Sequence, residues 1–145
     1  MASVQKKNNK KHTKKSAILN WNSGGNLSNT TRNKDYLRNG SISNNIENST
    51  KIIIPRDGVL SNFVVSLLPS NNAGNAKPGD GITRNFIIRK NGLDTDLFVG
   101  ITGNNTNGEI NIKLPVKKFD FISLSHTVNH DTTNSAIGIA SVLFS

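Results

Sequence analysis

"TRNFIIRKNGLDTDLFVGIT", residues 83–102, reads as two β-strands joined by the tightest of turns. Asn91 and Gly92 form the dipeptide that most readily takes positive φ at both central positions of a type I′ turn, whose twist matches that of paired strands. The β-branched and aromatic residues on either side suit a pleated, half-buried surface. The stretch specifies shape and not chemistry: Asp94 and Asp96 share one exposed strand face, where solvation accounts for them without an acid/base role.

The same texture extends outward from this hairpin. From Lys51 onward, β-branched and aromatic runs alternate with turn clusters at intervals of about ten residues, the signature of a β-sandwich or barrel. The pattern predicts strands near 51–54, 59–68, 84–90, 94–101, 108–114, 119–127 and 136–144, and no segment shows a helical period. In "EINIKLPV", Ile110, Ile112, Leu114 and Val116 alternate with polar residues and Pro115, so one face is expected to be buried and the other wet. Pro115 cannot donate to a ladder and places this strand's end at a sheet edge or at its exit. "NFVVSLL" and "FDFISL" are apolar on both faces, which calls for cover from two sides. Residues 69–81 and 102–109 read as polar loops rich in turn formers.

The N-terminal part is different. Residues 1–50 hold nine Lys/Arg against two acids, whereas 51–145 hold nine against seven, so the net charge of +9 belongs mostly to the arm. Residues 1–16 are expected to be a disordered basic arm when free, because their like charges resist compaction and nothing in them can form a core. Lys6, Lys7, Lys10, Lys11, Lys14 and Lys15 are its candidate contacts to an anionic partner, nucleic acid among them, through salt-sensitive counterion release. Residues 17–50 read as a polar Asn/Ser/Gly-rich extended segment with sparse apolar anchors, lying over a neighbouring surface or swapping onto another subunit, with "AILNW" adding one outer strand. Residues 51–145 form the expected sandwich domain.

Composition closes several functional routes. With no cysteine there is neither a disulfide scaffold nor a thiolate metal site. No window approaches the roughly 20 apolar residues of a membrane span. The leading lysines are followed only by Ala17, Ile18 and Leu19, too little for the apolar core of a secretory signal. His126, Asn129, His130 and Asp131 are the one cluster resembling a metal site. On a strand the two histidines stand about 13 Å apart at roughly 3.3 Å per residue, too far to share an ion, so exposed loop histidines and no metal are the expectation. No serine sits in a nucleophile elbow, and "GNAKPGDGITR" lacks the Gly-Lys-Ser/Thr ending of a phosphate loop. No catalytic residue and no cofactor is therefore assigned. The Asn-X-Ser/Thr triplets at Asn26, Asn29, Asn48 and Asn104 arise readily by chance in so asparagine-rich a chain.

"KIIIPRDGVLSNFVVSLLP", "ITRNFIIRKNGLDTDLFVGITG", "GEINIKLPVKKFDFISLSHT" and the closing "AIGIASVLF" together resemble the C-terminal head domains of collagen-like surface proteins of spore-forming bacteria, large DNA viruses and phages. The shared elements are the Pro55 to Gly58 strand opening, the Thr83 to Thr95 hairpin and the late strand from Asp120 to Leu124. The resemblance spans about residues 51 to 144. It implies an antiparallel jelly-roll sandwich like that of tumour necrosis factor, assembled as a homotrimer with apolar strand faces at the three-fold axis. Phe63, Val65, Leu67, Phe86, Ile88, Ile110, Ile112, Leu114 and Phe121 are the expected core or trimer contacts. Two departures stand out. No Gly-X-Y repeat precedes the head, and Lys118 and Phe119 occupy the place where relatives tend to have Ala-Gly before the aspartate. The resulting expectation is a non-enzymatic structural protein at the surface of a virion, phage or spore, anchored by its arm. The alternatives are a capsid subunit whose arm binds packaged nucleic acid and, third, a carbohydrate-binding module with a glycan in its polar loops.

Overall fold

The computed structural model describes residues 15–70 and 75–145. Eleven strands follow in order: β1 (Ala17–Asn22), β2 (Asp35–Arg38), β3 (Ser41–Asn44), β4 (Ile52–Ile53), β5 (Gly58–Pro69), β6 (Gly79–Lys90), β7 (Leu93–Gly103), β8 (Asn107–Ile110), β9 (Leu114–Val116), β10 (Phe121–Val128) and β11 (Ala136–Phe144). One turn of 3₁₀ helix, Asn48–Thr50, precedes β4. All the pairings within the two sheets are antiparallel. The first sheet runs β1-β11-β5-β8 with β9 also on β5, and the second runs β3-β2-β10-β6-β7 with β4 also on β10. A parallel bridge between Asn22 and Asn39, reinforced by the Gly40 N–H donating to the Asn22 carbonyl, ties the sheets along one side. The fold is an all-β sandwich, nearly closed into a barrel. Among the described residues no helix is long and apolar enough to cross a membrane.

The hairpin read from residues 83–102 is β6-β7, the strand pair flanking Asn91 (φ 53°) and Gly92 (φ 83°). Lys90 pairs with Leu93 across the two-residue turn, as the I′ geometry requires. The core lies between the sheets. Phe63, Val65 and Leu67 from β5 meet Phe86 and Ile88 from β6, Val99 and Ile101 from β7, and Leu124 from β10. At 0–4% exposure these side chains are spent on the protomer's own interior and are not free for a neighbour.

Two members of the expected contact set lie elsewhere. "EINIKLPV" is not one strand: Asn111 to Lys113 interrupt it between β8 and β9, three residues facing only Ser61 and Asn62 of β5, which itself bulges against β11. Asn62 sits there at φ 51°, and the β5-β11 register shifts between Ser141 and Leu143. The extra residue flips side-chain parity, so that Leu60 and Phe63 both point inward while Asn62 points out. Ile110 and Leu114 still pack on the core, but Ile112 falls in the break and is exposed. Phe121 begins β10 on its outer side, with Ile122 taking the inward place, and is 43% exposed.

Residues 17–50, read above as a polar extended segment with one outer strand at "AILNW", supply that strand as β1 and two more, β2 and β3. β1 pairs with β11 along its whole length, and β2 pairs with β10. Trp21, Leu27 and Leu37 are fully buried in the common core. Sparse apolar residues suffice here because each strand faces the core with only one or two of them. Pro115 lies in β9 on the sheet edge, where its missing N–H costs no ladder bond.

Candidate assembly interface

The outward face of the first sheet is built by simple alternation. In β11, Ala136, Gly138, Ala140, Val142 and Phe144 point into the core, which turns Ile137, Ile139, Ser141 and Leu143 outward. Across the ladder Ile137 lies beside Leu68, Ser141 beside Val64, and Leu143 beside Ile18 of β1. Ile18, Val64, Leu68 and Ile139 are open to solvent, with Val64 and Leu68 at 40% and 43% exposure. Between them lie small polar residues: Asn20, Ser66 and Ser141, with Asn107 on β8 accepting a 2.6 Å hydrogen bond from Ser66 Oγ. A shallow depression of about 300 Å³ borders this face, lined by Asn62, Val64, Glu109, Ile110 and Asn111. An exposed, contiguous apolar strip of this kind has the composition of a protein contact surface. Sequence pattern marked β5 as apolar on both faces but assigned its contacts to the inward residues. Val64, Leu68 and Ile139 are the ones left available.

The outward face of the second sheet carries a polar network, with Phe98 of β7 also open to solvent at 52% exposure. Glu47, in the loop ahead of the 3₁₀ turn, accepts from Arg89 Nε at 2.9 Å and from Ser123 Oγ at 2.6 Å. Arg89 also pairs with Asp94, and Lys34 approaches Asp94 at 3.6 Å. Although burial opposes it, these donors hold the Glu47 carboxyl below its usual range. Asp94 and Asp96 are exposed, as their place on the strand suggested.

The histidine expectation is corrected at His126. It lies on β10 facing the core, fully buried, with its ring 4.9 Å from that of Phe86. His126 Nδ1 is 2.9 Å from Asp35 Oδ2, and Nε2 is 3.2 Å from Arg84 Nη1. A guanidinium can only donate, so Nε2 accepts and Nδ1–H donates to Asp35: the imidazole is the neutral Nδ1–H tautomer. Arg84 continues to the carbonyls of Ser28 and Asn134 and to Asn29 Oδ1, pinning two loops to one end of the sandwich. Burial, helped by the nearby Arg84 charge, lowers the His126 pKa, while Asp35 pulls the other way. Arg84 itself is lowered by burial. Both imidazole nitrogens are engaged and neither reaches solvent, so this trio holds structure together and has no path to a substrate.

His130 and Asp131 are exposed, and Asn129 Oδ1 accepts from the Thr83 N–H. The described residues contain no group of three or more His, Asp or Glu side chains that could hold a metal. Of the arm lysines, Lys6, Lys7, Lys10, Lys11 and Lys14 lie outside the described residues. Lys15 is exposed, and its carbonyl accepts from Arg56 Nη2 at 2.5 Å. The chain matches no protein-family model and no curated protein sequence.

Proposed function

We propose that this protein is a non-enzymatic assembly module: a jelly-roll sandwich of the tumour-necrosis-factor type that forms a homotrimer and serves as a head or surface component of a virion, phage or spore. Its lysine-rich arm anchors it to an anionic partner. The observation that carries the assembly reading is the open strip formed by Ile18, Val64, Leu68 and Ile139 on the first sheet. A chain with a complete core of its own has no folding reason to leave those four side chains in water on one sheet face. Association would bury them, and the intervening Ser66, Ser141 and Asn20 can exchange water for hydrogen bonds across the contact.

Substituting Val64→Lys and Ile139→Lys together tests this. Neither side chain is in the core, so the fold should survive while association is lost. A pair that associates as the parent does would remove this face from the interface. The second reading, a capsid subunit packaging nucleic acid, is favoured by the six lysines within residues 6–15. It predicts particles that form with nucleic acid and disperse as salt rises.

A further inference from the structure

One end of the sandwich presents apolar side chains on turns, ringed by cations. Residues 117–120 form a tight turn closed by the Asp120 N–H donating to the Lys117 carbonyl at 3.0 Å. Its third residue, Phe119, has φ 73° while Lys118 does not, which is the type II arrangement in which glycine is the favoured occupant. A bulky side chain in the left-handed region is a true outlier, and such strain persists where something other than folding maintains it. Phe119 is 69% exposed, so the core gains almost nothing from it.

The neighbourhood repeats the theme. Leu93 directly follows the Asn91–Gly92 turn and is 72% exposed. Ile53 and Phe121 pair across β4 and β10, both exposed. The parts form one surface, since Asn91 Nδ2 donates to Asp120, the Asn91 N–H donates to the Phe121 carbonyl, and the Phe119 N–H donates to the Ile54 carbonyl. Around it stand Lys51, whose ammonium lies 5.6 Å from the Phe121 ring, Lys118 at 4.9 Å from the Phe119 ring, and Lys90, Lys117 and Arg56. None of these five cations forms an ion pair among the described residues. The local acids already have partners: Asp120 accepts from the Lys117 N–H and Asp57 from the Lys118 N–H, while Glu47 and Asp94, beside the Asn91–Gly92 turn, pair with Arg89. Lys15, the first described residue, lies at this same end, its carbonyl accepting from Arg56, which itself stacks on Phe144.

We infer that this end of the sandwich is a docking surface for an anionic lipid bilayer, with Phe119, Leu93, Ile53 and Phe121 entering the headgroup and acyl boundary while Lys51, Lys90, Lys117 and Lys118 engage the headgroup charges. The pairing of apolar tips with lysine is the combination that two-signal membrane attachment requires. A bilayer fits better than a nucleic acid because the apolar set is mixed: Phe119 and Phe121 offer π-faces to a base, but Ile53 and Leu93 have none and gain only by leaving water for a hydrocarbon phase. This inference deepens the anchoring half of the proposed function and rests on it, while being independent of the trimer.

The test is co-sedimentation of the full chain with vesicles of phosphatidylcholine alone and of phosphatidylcholine with phosphatidylglycerol, beside the variants Phe119→Gly and Ile53→Ser. A fluorescent oligothymidylate serves as a competing ligand, and melting temperatures and light-scattering masses are recorded in parallel. The parent should pellet only with the anionic vesicles and less so as salt rises. Phe119→Gly should melt no lower than the parent, because glycine relieves the turn, yet partition about tenfold more weakly, the equivalent of losing one inserted side chain. Vesicle binding that is indifferent to phosphatidylglycerol, or unchanged in both variants, overturns the inference. So does binding of the oligothymidylate without binding of vesicles, an outcome that would leave an anionic anchor in place. Binding of neither would overturn the anchor as well, and the measured mass would still report the trimer by itself.

Discussion

At the scale of single residues, the most consequential group is His126. Its folded-state pKa lies below its ordinary 6.5, with burial as the leading cause. Between the folded and unfolded values the unfolded chain binds more protons, so stability is fully present above about pH 6.5 and is lost as pH falls toward the folded value. The slope from this one group is at most about 1.4 kcal/mol per pH unit. Protonation would also turn Nε2 into a donor facing the Arg84 guanidinium, breaking the buried side-chain hydrogen bond between them. Denaturant titrations from pH 7.5 to pH 4.5 should show this decline in the parent and a much flatter profile in His126→Gln. The same experiment tests Arg84→Ala, expected to cost about 3 kcal/mol at neutral pH because it frees the carbonyls of Ser28 and Asn134 and leaves Asp35 and His126 without their cation. Nothing in the sequence marks this trio. Asp35 and His126 stand 91 positions apart and Arg84 and His126 stand 42 apart, and each taken alone resembles an ordinary surface residue. Only the inward parity of β10 and the pairing of His126 with Asp35 across β2 bring them together.

At the scale of elements, legibility followed the strength of local pattern. The β6-β7 hairpin announces itself through Asn91-Gly92, and β5, β10 and β11 are long enough for their apolar residues to register, whereas the short β8 and β9 read as a single strand. The first fifty residues lack that redundancy. "DYLR" is four residues long, and the Trp21, Leu27 and Leu37 anchors are separated by asparagine and serine, so no period emerges. The bulge at Asn62 was equally hidden, since a parity flip leaves composition untouched and shows only in the ladder register. From this follows a clear expectation for truncation. A chain starting at Lys15 should keep its far-ultraviolet circular dichroism and cooperative melting, because every paired strand remains. A chain starting at Lys51 should fail to fold, since it lacks β1, β2 and the three buried anchors, each contributing about 2 kcal/mol. A finer test is Gly24→Ala: at φ 65°, with the Gly40 backbone carbonyl occupying the place of its Cβ, it should cost at least about 2 kcal/mol and loosen the tie between the sheets.

At the scale of the whole molecule, two surfaces gather eight of the eleven large exposed apolar residues among the described ones, with Ile46, Phe98 and Ile112 outside both. The strip on the first sheet carries Ile18, Val64, Leu68 and Ile139, and the cationic end carries Ile53, Leu93, Phe119 and Phe121. One is flat and interspersed with small polar groups, with Glu109 beside Val64, the character of a contact between proteins. The other is set on turns and ringed by lysine, the character of a contact with a charged surface. The β-strand pattern implied both, because strands apolar on two sides need a second cover, but it could not say which side chains would remain exposed. That depended on the bulge and on the strands contributed by the first fifty residues. The measurement that bears most directly on assembly is light scattering coupled to size exclusion, on the full chain and on the Val64→Lys, Ile139→Lys pair at micromolar concentration. The account predicts a discrete species of three times the 15.7 kDa chain mass for the parent and a folded monomer for the variant. A parent that elutes as a monomer, or a variant that remains a trimer, would contradict it.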